Sequence, residues 1–394
     1  MHLLFLAHRL PYPPNKGDKI RSFRWLDHLR QRFDVHLGCF VDRPEDMAHV
    51  ETLRPGLASL AAIPLNPSTA RLRALTRLRP GHPLSVAYFT DQRLQAWVDH
   101  TLKTHPVARA LIFSSAMAPY LAAHAPIPTV FDMVDLDSEK FAAYGQNAAL
   151  PTSLIWRREA KTLLALERAA TARFTRTFLV SEAERARFTA LAPETEARTE
   201  AVANGVDIDF FNPDVPCPTP YPPDHPAIVF TGAMDYRPNI EACLWFANAV
   251  LPTLAADTPS PLFHIVGADP AAPIRALANQ PNIKIHPNVP DIRPYLHHAA
   301  LAVAPLRIAR GIQNKVLEAM AMARPVLTTT AALTGIAARA GRDALIADDA
   351  TAMIAGTRAI LRGEWPGLGP AGRAAVIAHH SWATPLAALD RVLA

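Results

Sequence analysis

The chain has 394 residues, half of them hydrophobic and 19% charged. That length exceeds one ordinary core and predicts two domains, and the apolar fraction argues against a disordered chain. A net charge of +5, without aromatic interleaving or a known motif, argues against a nucleic-acid binder.

The three cysteines (Cys39, Cys217, Cys243) stand far apart with no CxxC, which argues against a disulfide framework or a structural zinc site. The 16 histidines show no HExxH or similar spacing, and His297-His298 reads as a surface pair at a helix end. Leu3 to Ala7 is too short for a signal-peptide core, and no apolar run reaches the ~18 residues of a membrane span. A cytoplasmic protein is expected, attached to a membrane at most peripherally.

In chain order, His2 to Ala7 reads as a buried strand running into a constrained loop over 11–18 that holds Pro11, Pro13, Pro14 and Gly17. Ile20 to Phe33 has helical periodicity, and Val35 to Phe40 is a second strand. Strand, loop, helix and strand mark an open α/β sheet, whose ligands lie beyond the strand C-termini, so this loop is expected to face a cleft. It carries no GxGxxG fingerprint, which removes the main support for NAD binding.

Arg71 to Arg79 interleaves leucines with arginines inside a window, 61–110, that holds seven basic residues against two acidic ones. Two readings fit it, a solvated helix face and an amphipathic helix on anionic lipid. Strands follow at Ala110–Phe113 and Thr129–Met133. Asp132, Asp135 and Asp137 crowd the end of the second, where they can cap a helix, bind a metal or orient an acceptor. A long charged helix spans about Leu154 to Thr171.

Positions 212–226 contain seven prolines in fifteen residues, the sharpest composition shift in the chain. Residues 206–226 are therefore expected to be a linker between a domain over 1–205 and another over 227–370. The α/β alternation restarts with strand Ala227–Thr231, the loop from Gly232 to Asn239, helix Ile240 to Leu254 and strand Phe263–Val266, which ends at Gly267. The tail, 371–394, is expected to end in an apolar-periodic helix that packs back towards the first domain.

Leu301 to Leu306, the turn Arg307 to Gly311, a helix from Ile312 to Ala323 and a strand from Pro325 form one βαβ unit. Lys315 and Glu318 stand near the start of its helix. A helix N-terminus carries unpaired N–H groups and partial positive charge, which suits phosphate. A carboxylate one turn further in can meet a sugar hydroxyl.

Here the chain resembles a known group. Asn204-Gly205-Val206-Asp207 and Lys315 to Val326, including Glu318-Ala319-Met320-Ala321, look like the retaining glycosyltransferases of the family-4 type. The motif "EAMAxGxPV" departs here at Ala323, where glycine is customary, with Arg324 next. Pro13 to Phe23, Phe131 to Ser138 and Thr231-Gly232-Ala233-Met234-Asp235-Tyr236-Arg237-Pro238-Asn239 are similar to the sugar transferases associated with the bacterial exosortase (PEP-CTERM) exopolysaccharide system.

The resemblance implies a GT-B fold, two Rossmann-like domains facing a cleft with a C-terminal helix crossing back. It implies a nucleotide-sugar donor, a lipid-linked or saccharide acceptor, and retention of configuration without metal or other cofactor. Glu318 would bind the ribose hydroxyls, and Arg237 and Lys315 the diphosphate. Gly17, Gly232, Arg310 and Gly311 complete the donor-side residues, and Asp135 and Asp137 are acceptor-side candidates. The family's first glutamate, eight positions before Glu318, is replaced by Arg310. A GT-B epimerase of nucleotide sugars, or a catalytically silent nucleotide-binding protein, are the competing readings.

Overall fold

The computed structural model describes residues 1–14, 17–76, 81–122, 124, 126–309 and 312–393. The chain divides into two compact units, Met1–Ala203 with Pro385–Ala394, and Asn204–Thr384.

The first unit is built on a seven-stranded sheet of β1 (His2–Ala7), β2 (Asp34–Val41), β3 (Ser59–Pro64), β4 (Val107–Phe113), β5 (Thr129–Val134), β6 (Arg176–Leu179) and β7 (Thr199–Ala201), in the order β3-β2-β1-β4-β5-β6-β7. Every pairing is parallel. Helices cover both faces of such a sheet, so its central strands read as unbroken apolar runs; Leu3, Leu4, Phe5 and Leu6 are all fully buried. One face packs Leu4, Leu6, Ile112 and Phe131 against Leu94, Val98 and Phe188.

The second unit repeats the plan with β8 (Ala227–Thr231), β9 (Leu262–Gly267), β10 (Ile283–Pro287), β11 (Leu301–Ala304), β12 (Val326–Thr328) and β13 (Leu345–Ile346), in the order β10-β9-β8-β11-β12-β13. Its strands also pair in parallel. Alternation along β8 sends Ile228 and Phe230 into a cluster with Phe246 and Phe263, and Val229 into another with Val316 and Met320. In this sheet β8 lies between β9 and β11, so the chain leaves β8 and β11 towards opposite faces and opens a crevice at their C-terminal ends.

One expectation about connections changes. The proline-rich stretch is not a free spacer. Tyr221 is buried in the second unit's core and donates from its hydroxyl to the Tyr295 carbonyl at 2.6 Å. Frequent prolines and one well-anchored aromatic make this segment a strap on its own unit.

The tail forms two helices, Leu368–His379 and Ala383–Leu393. The first packs against helix Asn314–Ala321 in the second unit, with Gly372 close to Met320. The last belongs to the first unit from Pro385 onward. There Asp390 accepts from His28 Nε2 at 2.8 Å, and Arg109 Nε donates to the Leu393 carbonyl at 3.1 Å.

Candidate functional site

Near the crevice of the second sheet lie Gly232, Arg237, Lys315 and Glu318, four of the residues expected on the donor side. β8 ends at Thr231, and Gly232 follows with φ +151°, a conformation L side chains rarely adopt. A Cβ on Gly232 would stand 2.8 Å from Asn239 Nδ2 and 3.3 Å from Lys315 Cε. A Cβ on Gly267, at the end of β9, would fall 1.7 Å from the Gly232 carbonyl oxygen. Both strand ends must therefore be bare backbone. Asn239 is buried and donates through Nδ2 to the Ala233 carbonyl at 2.8 Å, which fixes the loop after β8. Its Oδ1 is buried with no hydrogen-bond partner among the described residues.

Across the switch point, helix Asn314–Ala321 begins at Gln313, which makes no side-chain cap. The helix forms because Val316, Leu317, Ala319 and Met320 supply an apolar face that is fully buried. Lys315 lies beside the strand ends. Its Nζ is 5.5 Å from the Phe230 ring centroid and 3.4 Å from Gln313 Oε1. Burial lowers the Lys315 pKa, with Glu318 and Cys243 opposing it. One turn on, burial pushes the Glu318 carboxyl up to about 7, although the Lys315 charge pulls it down. A partly desolvated cation beside an uncapped helix start is arranged for an anionic ligand.

Arg237 opens helix Arg237–Trp245 at the same edge. Its guanidinium is 88% exposed and donates to Glu241 Oε1 at 2.7 Å. Arg310 and Gly311 lie outside the described residues.

Other expected residues belong to the first unit. Gly17 is the first residue of helix Gly17–Leu29 rather than a loop residue, and a Cβ there would meet nothing within 4 Å. Among the described residues no steric demand selects glycine at that position. A cavity of 240 Å³ lies beside it, lined by Arg9, Asp18, Lys19, Asp42, Asp46 and their neighbours. Its charges are largely paired, Arg9 with Asp18 and Asp42 at 2.9 and 2.8 Å, and Lys19 with Asp46 at 2.6 Å.

Of the three acids at the end of β5 and just beyond it, Asp132 is structural. It is fully buried and accepts from Arg21 Nε and from Trp25 Nε1, each at 2.6 Å. Val134 then takes φ +68°, a strained value for a β-branched residue. Helix Asp137–Asn147 has Leu136 as its N-cap and no side-chain cap, so neither Asp135 nor Asp137 caps it. Asp137 pairs with Lys140 at 3.6 Å. Burial, then the charges of Glu184 and Asp137, raise the Asp135 carboxyl to about 6. Burial also raises Glu167, within reach of Ser115 Oγ at 3.4 Å, to about 8. A carboxyl raised to about 8, as Glu167 is, keeps its proton at neutral pH, whereas Asp135 is mostly ionised there.

Reading the sequence missed Asn239 and Gly267, which pack beside Gly232, and the buried state of Glu167. Gly267 had a signal, since a glycine ends an apolar strand. Glu167 had none, because one acid within a charged helix looks like any other until its surroundings are known.

Two parallel six- and seven-stranded sheets with helices on both faces match glycosyltransferase structures of the GT-B fold. Sucrose-phosphate synthase from Thermosynechococcus elongatus aligns over 99% of this chain and 97% of its own, with a TM-score of 0.67 and 16% identity. WaaG, a glycosyltransferase involved in lipopolysaccharide biosynthesis, aligns over 99% of both chains with a TM-score of 0.67 and 16% identity. HepE from Anabaena, in complex with UDP and glucose, aligns over 99% of this chain and 98% of its own, with a TM-score of 0.65 and 14% identity. No curated protein matches the sequence.

The fold is thus that of GT-B proteins. Residues 225–362, within the second unit, match the family model of group 1 glycosyl transferases.

Proposed function

We propose that the protein transfers a sugar from a nucleoside-diphosphate donor to a hydroxyl acceptor, with retention of configuration. The observation that carries this reading is Lys315, a desolvated lysine at the start of its helix whose Cε lies close to the bare strand end at Gly232. As the sugar–phosphate bond breaks, negative charge accumulates on the departing diphosphate. A fixed cation and helix N–H groups aimed at that charge stabilise the transition state, by ~3 kcal/mol for a well-placed donor.

In this reading Glu318 accepts from ribose hydroxyls, and the exposed Arg237 can leave Glu241 for the diphosphate. Arg310 and Gly311, which precede that helix in the sequence, are proposed to complete the donor side. The UDP bound to HepE, a protein of the same fold, supports a nucleoside-diphosphate donor. Asp135, with Asp137 beside it, is the proposed acceptor-side group, because a carboxyl titrating near 6 can take the acceptor proton. The acceptor is proposed to be a lipid-linked exopolysaccharide precursor of the PEP-CTERM kind, met at the inner face of the cytoplasmic membrane. Support for a membrane surface comes from helix Pro67–Thr76, where Leu72 is 64% exposed beside an exposed Arg71. Arg77, Leu78 and Arg79 of that stretch lie outside the described residues, and no described helix is long and apolar enough to cross a membrane.

The test incubates the protein with a panel of nucleotide sugars, with and without undecaprenyl-linked acceptors, and follows nucleoside diphosphate and the product anomer. Diphosphate released only with acceptor, and lost in Lys315→Met, supports the proposal. An isomerised donor without diphosphate release identifies an epimerase, and binding without turnover identifies a silent binding protein. Either outcome overturns it.

A further inference from the structure

The opposite edge of the first sheet holds a second constellation. His2 opens β1, His36 lies in β2, and His105 stands two residues before the start of β4. Parallel register explains their meeting. His2 pairs with Asp34 and with Val107, Leu4 pairs with His36, and His36 pairs with Ser59. Partners in a parallel ladder point to the same face, as do residues two apart, so all three histidines converge on one face.

The rings lie close. Centroids are 5.2 Å apart for His2 and His36, 5.2 Å for His2 and His105, and 4.6 Å for His36 and His105. One ring nitrogen from each lies within 4.8 Å of the other two. His2 Nδ1 and His36 Nε2 face each other at 3.0 Å, while His36 Nδ1 lies 2.8 Å from Ser59 Oγ. If His36 Nδ1 carries the proton and donates it to Ser59, the Nε2 lone pair points at His2. A hydroxyl that fixes the tautomer of a buried imidazole is the arrangement that supports a metal-ligating histidine. Tetrahedral zinc, with Zn–N of about 2.0–2.1 Å, sets its nitrogens ~3.3 Å apart, so small ring rotations complete the site.

We propose that His2, His36 and His105 bind one zinc-class divalent cation, with a water or other exchangeable group as fourth ligand. His36 is fully buried and His105 is exposed, so the site has both a rigid floor and an entry. β1 runs six residues to its other end, ~20 Å at ~3.3 Å per residue. The ion is therefore remote from the loops at the sheet's C-terminal edge. Its effect is structural, a clamp joining the starts of β1 and β2 to the segment that leads into β4.

The experiment titrates metal-stripped full-length protein with Co²⁺, then displaces it with Zn²⁺. The expected result is one equivalent of Co²⁺ with a visible d–d band, no sulfur charge-transfer band, and a raised melting temperature with Zn²⁺. His105→Ala replaces an exposed residue and should weaken binding at least ~10-fold, and Ser59→Ala should weaken it ~10-fold with stoichiometry kept. Cys217→Ser controls for the other compact group, Cys217 with His297 and His298, and should change nothing. Absence of Co²⁺ binding overturns the proposal. So does binding that persists undiminished in His105→Ala, or binding that disappears in Cys217→Ser.

Discussion

Lys19 in the first unit and Lys315 in the second occupy comparable places, each near the start of a helix that follows a strand at its sheet's switch point. Their surroundings differ. Lys19 is buried and its Nζ meets Asp46 at 2.6 Å, so the two charges neutralise each other out of water. Lys315 is desolvated too, yet it forms no salt bridge among the described residues, and its contact with Gln313 is long at 3.4 Å. A paired buried lysine holds a fold together. Lys315, held outside any salt bridge with only the charge of Glu318 nearby, leaves its desolvation less fully compensated.

Replacement of each lysine separates these roles, and the largest effect is expected in activity. Lys315→Met should reduce donor turnover ~100-fold or more in a diphosphate-release assay, because one transition-state donor is lost. Its melting temperature should stay level or rise, since a desolvated charge is removed. A large drop in melting temperature would instead make Lys315 structural and erase the contrast.

Lys19→Met should show the converse. It strands the Asp46 carboxylate in a buried setting and should cost ~3 kcal/mol in a denaturant melt. Adding Asp46→Leu should recover most of that loss, because the unpaired charge goes with it. If the single variant melts like wild type, the pair is not what anchors this edge.

Glu318 sharpens the comparison through pH. Its carboxyl titrates about 7 when folded against an ordinary 4.5, so between those values the folded state keeps a proton that the unfolded chain has lost. The ligand-free protein should therefore lose stability as pH rises from 4.5 towards 7. Nucleoside-diphosphate affinity should move the other way, strengthening as the carboxylate forms and accepts from ribose. Glu318→Gln should flatten both profiles, and calorimetry across that range checks them. A wild-type affinity independent of pH would remove Glu318 from the ribose contact.

The smallest effect is expected at Ala323, which has φ +52° just past the helix that carries Lys315 and Glu318. There Arg324 N donates back to the Ala319 carbonyl at 3.0 Å, a helix stop that glycine makes without strain. Ala323→Gly should stabilise by about 1 kcal/mol with activity unchanged. A melt lowered by this change would mean that the Ala323 methyl contributes more through packing than its backbone strain costs.

The sequence alone determined the two α/β halves, because buried parallel strands appear as short apolar runs and helices as a 3.6-residue period. It also pointed to the helix of Lys315 and Glu318, since a polar turn before an apolar helix is a local pattern. Contacts between distant segments were decided only in the tertiary structure. Nothing near Asp132 in sequence reveals that Arg21 and Trp25 occupy it, and Tyr221 turns a proline-rich stretch from a spacer into a packed strap. Gly232, Gly267 and Lys315 meet because β8 lies between β9 and β11, and His2, His36 and His105 because three strands share a register. Periodicity is a property of neighbours along the chain, whereas desolvation and charge pairing depend on what the fold brings alongside.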